Sequence, residues 1–158
     1  MMRMVLVVAL TVLGASGGIA QAADKARGPK IEACLAAAQT VDAMRACKRI
    51  VFKPCVQEPE NRDSTHGLVM CNEREADEWS ALLEARTAAL TARDGYRVEA
   101  LMAADAAWRA WVEVECSYHR AEAMGGSAEG VITTGCQSDL MADRVIVLTW
   151  LLRGNEFY

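Results

Sequence analysis

The sequence predicts an all-α fold, a small disulfide-stabilised helical bundle, and three observations point there. Apolar residues recur at helical spacing in several separate stretches, no polar–apolar alternation of convincing strand length appears, and six cysteines are spread over one short chain. The N-terminal segment stands apart from the rest. Met1, Met2 and Arg3 precede an uncharged apolar run, Met4 to Leu13, too short for a bilayer span of about 20 residues. Small residues follow from Gly14 to Gly18, and then Ala20-Gln21-Ala22 places small side chains where a signal peptidase reads. Residues 1–22 are therefore expected to be a cleaved signal peptide, with an uncleaved anchor or a buried first helix as the competing reading. Residues 23–158 are expected to form a single helical domain. The first cysteine after the apolar run is Cys34, so no lipid anchor at a processed cysteine is suggested.

The remaining elements follow in order. Ile31 to Ile50 is rich in Ala with Leu35 and Met44, and it breaks at Thr40, which can cap a helix that carries Asp42 in its first turn. Two short helices fit. From Phe52 to Cys71 the pattern is lost among Pro54, Pro59, Gly67 and the polar run Glu58 to His66, which describes a loop. Asn72 with Glu75 three residues on reads as a capping pair that opens a helix to about Arg93, with Trp79, Leu82, Leu83 and Leu90 inward and Asp94-Gly95 as its stop. The longest helix is expected from about Arg97 to Arg120, with Leu101, Trp108, Trp111, Val112 and Cys116 on or beside one face. Gly125 to Gly135 reads as a flexible loop, and a last helix opens at Ser138-Asp139 and buries Leu140, Val147, Leu148 and Leu151. The simplest assembly is a bundle with antiparallel neighbours.

Cysteine usage and charge bound the function. All six cysteines, Cys34, Cys47, Cys55, Cys71, Cys116 and Cys136, follow the apolar run, which suits a disulfide framework in a periplasmic or secreted protein. Six cysteines allow 15 connectivities, and the spacing favours Cys34–Cys47, Cys55–Cys71 and Cys116–Cys136. A metal or haem site is disfavoured, because no C-x-x-C and no His at ligand spacing from a Cys pair occurs. Loss of residues 1–22 removes Arg3 and no acid, leaving 16 basic against 21 acidic side chains and a formal charge near −5. That sign argues against nucleic acid or anionic lipid as partners and allows a cationic protein partner. No membrane insertion of the mature chain and no cofactor are expected.

Four pieces of sequence carry a resemblance. They are Cys34-Leu-Ala-Ala-Ala-Gln-Thr to Cys47, Glu75-x-x-x-Trp79-x-x-x-Leu83, Trp108-x7-Cys116, and Gly125-Gly126-Ser127 followed by Cys136 and Arg144. In this order and spacing the chain resembles the LprI-type lysozyme inhibitor family of exported bacterial proteins. The resemblance implies a small helical domain and a lysozyme-like, cationic hydrolase as partner. Some polar positions depart from the family pattern: Glu84 replaces an Asn, Thr87 a Tyr, Asp105 a Gln and Val112 an Arg. The fold-bearing positions are kept better than the polar ones.

Catalytic candidates are few. Glu115 and His119 stand at helical spacing, yet without a third ligand they read as a surface ion pair. His66 has no partner in sequence, and no cysteine nucleophile remains if all six pair. Trp79, Trp108 and Trp111 would suit sugar stacking but read more naturally as core. No catalytic or metal residues are assigned, and binding is expected in place of catalysis. The expected binding residues are Gly125, Gly126, Ser127 and Glu129, because glycines permit close backbone approach and a disulfide limits the entropy lost on docking. The Gln57–His66 segment is the second choice. An alternative function is that of an envelope structural or adaptor protein of the same fold without inhibitor activity.

Overall fold

The computed structural model describes residues 30–155, so the expected signal peptide over residues 1–22 lies outside the described residues. Among the described residues six α-helices follow one another: α1 Lys30–Ala37, α2 Val41–Arg45, α3 Phe52–Cys55, α4 Thr65–Arg93, α5 Val98–Ala121 and α6 Glu129–Leu152, with a 3-10 turn Gly95–Arg97 between α4 and α5. No strand occurs among the described residues. The expected all-α class is what the chain adopts.

Three long helices make the frame. Contacts near both ends fix their directions: Asn72 of α4 bonds to Val131 and Thr134 of α6, while Arg86 bonds to Thr149 and Arg93 to the Leu151 carbonyl. Hence α4 and α6 run parallel, and they share the most extensive packing in the molecule. The expected arrangement of antiparallel neighbours therefore holds for α5 on α6 but not for the principal pair. A return helix of 24 residues spans about 36 Å, enough to carry the chain back so that α6 starts beside the start of α4. Trp79, Leu82, Leu83 and Leu90 of α4 meet Val145, Ile146 and Leu148 of α6, and Ile31, Leu35 and Met44 of α1 and α2 close the core. Arg153 donates to the Ala38 and Leu35 carbonyls, placing a cation at the C-terminal end of α1, where the helix dipole favours it.

All three expected disulfides form, Cys34–Cys47, Cys55–Cys71 and Cys116–Cys136, and none of the six cysteines is free. Thr40 caps α2 as expected, its hydroxyl accepting from the Ala43 amide at 3.1 Å.

Four expectations are corrected. First, the stretch 52–71 is not a loop throughout: it contains α3, and α4 begins at Thr65, where the Ser64 hydroxyl accepts from the Gly67 amide at 2.9 Å. A Cβ on Gly67 would lie 2.1 Å from the Asn61 carbonyl oxygen, so this first turn packs directly on the preceding backbone. Second, the longest helix is α4, with 29 residues. Third, Trp111 does not join the packed face of α5; it is exposed, while Trp108 is half-buried and Trp79 fully buried. Fourth, α6 starts at Glu129, nine residues before Ser138. Gly130 and Gly135 are helical, and they stand where α6 approaches α4: a Cβ on Gly130 would meet Val69 at 3.1 Å, and one on Gly135 would meet Asn72 at 3.4 Å. Their smallness serves helix packing, which is why they do not break the helix.

Candidate functional site

Two polar regions stand out, and the first is buried. Asn72 and Glu75, which read as a helix cap, lie one turn apart well inside α4 and are almost wholly shielded from solvent. One Glu75 oxygen accepts from the Arg49 amide at 2.9 Å, and the other accepts from the Val51 and Phe52 amides at 3.1 and 2.8 Å. The side chain therefore satisfies donors at the start of the short helix α3, which has no side-chain cap of its own. Arg49, in the left-handed region at φ 67°, donates to Asn72 at 2.7 Å and to Asp139 at 2.9 Å while its guanidinium lies over the Phe52 ring. Asn72 passes the network on to the Val131 carbonyl and the Thr134 hydroxyl of α6. Each of these groups is engaged within the chain, so the cluster joins α4, α6 and the N-terminal segment and offers no reacting group.

The second region is the turn from Glu122 to Ala128, between α5 and α6. Cys116 and Cys136 bridge the two helices below it, with Cα atoms 5.6 Å apart. Met124 and Gly125 both take positive φ, 47° and 81°, a conformation glycine adopts without strain. The Glu129 carboxyl accepts from the Gly125 amide at 3.1 Å, and the Gly126 amide donates to the Ala123 carbonyl at 2.8 Å. The turn is thus pinned from both sides. Gly125, Gly126 and Ser127 are exposed, and Met124 at its tip is 92% exposed.

The four expected binding residues therefore lie together, although not in one role. Gly125, Gly126 and Ser127 form the outer surface of the turn. Glu129, half-buried at the first position of α6, spends one oxygen on the turn itself. Met124 was not singled out by sequence reasoning; an apolar side chain next to a Gly-Gly pair in a turn is the signal that would have found it. The second-choice segment Gln57–His66 is partly built into the frame. Asn61 is buried and donates to the Cys55 carbonyl and to Glu58, and Glu58 pairs with Arg74 at 2.8 Å.

Other titratable groups have structural surroundings. His119 and Glu115 lie side by side on the α5 surface as their spacing predicts, Nε2 to Oε1 3.3 Å apart, and no group of three metal-ligating side chains occurs among the described residues. At the corner between α4 and α5, hydrogen bonds from Arg93 and then Arg97 hold the Asp94 carboxyl down at about 2. Burial raises Glu78, partly offset by the Ile31 amide that donates to it. No described helix is long and apolar enough to cross a membrane.

The family model of the lysozyme inhibitor LprI matches residues 55–148. The matched region runs from the first cysteine of the second disulfide to the buried Leu148 of α6. It includes Trp79, the Asn72–Glu75 pair, the Cys116–Cys136 bridge and the whole exposed turn, and it leaves out the Cys34–Cys47 opening. No curated protein and no solved structure matches the chain. With more than half of its length matched, together with the helical frame and the disulfides, the chain belongs to the LprI lysozyme inhibitor family.

Proposed function

We propose that this protein acts in the periplasm or outside the cell as a binding protein that blocks a cationic, lysozyme-like hydrolase and so protects peptidoglycan, without catalysis of its own. The observation that carries this reading is the family match across the disulfide-anchored turn. Three disulfides fit a protein that works in an oxidising compartment outside the cytoplasm. The contacts are assigned to Met124, Gly125, Gly126 and Ser127, with Glu129 holding the turn in shape. A pinned turn loses little conformational entropy on docking, and an exposed methionine adapts to an apolar cleft. An acidic chain of formal charge −4 also speeds encounter with a cationic enzyme.

The test is a lysozyme activity assay together with direct binding by the oxidised protein. Stoichiometric inhibition is expected, weakening as salt rises from about 50 to 500 mM because screening reduces the attraction between opposite net charges. Full lysozyme activity at excess protein, with no binding, contradicts the reading and leaves the envelope structural or adaptor role. One observation favours that second role: at positions where the family pattern is polar, Val112 and the Thr87 hydroxyl are buried, and only Glu84 is exposed on α4.

A further inference from the structure

Helix α5 carries two apolar faces, and only one of them is used within the chain. Leu101, Trp108, Val112 and Cys116 face the core, whereas Trp111, Val114 and Tyr118 lie 47%, 70% and 69% exposed. The exposed face runs the length of the helix. Ala100, Ala103, Ala107, Ala110, Val114, Ser117 and Ala121 are all exposed and follow one another in steps of three and four, the spacing of a seam between paired helices. Not one position of this seam is charged. Such a continuous, charge-free face with large apolar side chains beside it is the mark of an interaction surface, and the small residues allow a second helix to come close.

The flanking charges indicate what covers it. Glu99 near the start of α5 and Arg120 near its end border the same side of the seam, both exposed, and neither forms an ion pair with another described residue. We propose that this face binds a second copy of the chain, α5 against α5 in antiparallel, about a twofold axis between Ala107 and Ala110. In that register Glu99 of each copy meets Arg120 of the other, which makes two ion pairs, and Ala103 packs beside Val114. A parallel pairing would leave Glu99 and Arg120 on opposite sides of the seam from their copies and would make neither ion pair. A twofold contact uses the same patch on both copies and closes on itself, so it yields a dimer and no further growth. The two Met124–Ser127 turns remain outside the seam.

Sedimentation of the oxidised chain over a range of concentrations tests this, with circular dichroism to check that each variant is folded. A reversible monomer–dimer equilibrium is expected. Arg120→Glu should raise the dissociation constant about tenfold, since it sets like charges opposite each other, and the double variant Glu99→Arg/Arg120→Glu should restore dimerisation. Val114→Glu should abolish the dimer. A chain that stays monomeric, a dimer insensitive to Val114→Glu, or a charge swap that fails to rescue would each overturn the proposal. If a monomeric chain instead loses hydrolase binding on Val114→Glu, the face belongs to the hydrolase and the proposal is likewise overturned.

Discussion

The Arg49–Asn72–Glu75 cluster and the Met124–Ala128 turn are built from similar material, polar residues and glycines beside a disulfide, yet they come to opposite ends. In the first, burial forces every donor and acceptor to find a partner, so Glu75 closes onto three backbone amides and Arg49 onto Asn72 and Asp139. In the second, the backbone satisfies itself through Glu129 and Ala123 while Met124 and Ser127 face solvent. What separates the buried cluster from the exposed turn is whether the polar groups are used up inside the chain. Fold chemistry consumes the first region and leaves the second exposed, which is why the proposed contacts are placed there.

The largest effect is expected at the scaffold end. Glu75→Ala would strand the Arg49, Val51 and Phe52 amides in the interior, at about 1–3 kcal/mol for each unpaired group and roughly 4 kcal/mol together. Chemical denaturation should show that loss, and a change below about 1 kcal/mol would mean that the cluster is not the joint described. Next comes the bridge beneath the turn. Replacing Cys116 and Cys136 together by Ser should cost on the order of 2–5 kcal/mol and should also weaken hydrolase binding, because the turn is no longer held between fixed helices. Loss of stability with unchanged affinity would show that the bridge serves only the fold.

A smaller, pH-dependent effect is expected at the α4–α5 corner. Asp94 is held at about 2 in the folded chain against an ordinary 3.8. A depressed carboxyl stabilises the fold in full above its unfolded value and loses that contribution as pH falls through its folded value. The gap in melting temperature between the parent and Asp94→Asn should therefore be constant above pH 3.8 and close as pH approaches about 2. A gap that survives unchanged at pH 2 would mean that the hydrogen bonds from Arg93 and Arg97 do not depend on the charge.

The sequence made the framework legible where the signal was local. Trp79, Leu82, Leu83 and Leu90 lie on the buried side of α4 because 3.6-residue spacing sets which side chains share a face, and Thr40 caps α2 because its hydroxyl needs only an amide three residues on. Cysteine spacing sufficed for the disulfides because each bridge closes a short segment. Where partners were distant in sequence the reading failed. Asn72 and Glu75 form a cap by spacing, yet their partners lie at least 23 residues away, and only tertiary contact shows them to be interior. Gly130 and Gly135 read as loop formers, because nothing local reveals that Val69 and Asn72 press against α6 there. The turn was located through its Gly125-Gly126 pair, but the division of labour between an outward Ser127 and an inward Glu129 is a matter of geometry. On α5 the exposed stripe was obscured, since Trp111 stands one residue from the buried Val112.

The comparison between scaffold and surface rests most directly on the turn's outer residues, and Ser127→Ala and Met124→Ser test them. In calorimetric titration against lysozyme, with the melting temperature measured in parallel, each variant should keep its stability within about 0.5 kcal/mol. Each should bind about tenfold more weakly, equivalent to about 1.4 kcal/mol. Affinity equal to the parent's in both variants would contradict the assignment and show the turn to be a connection between helices.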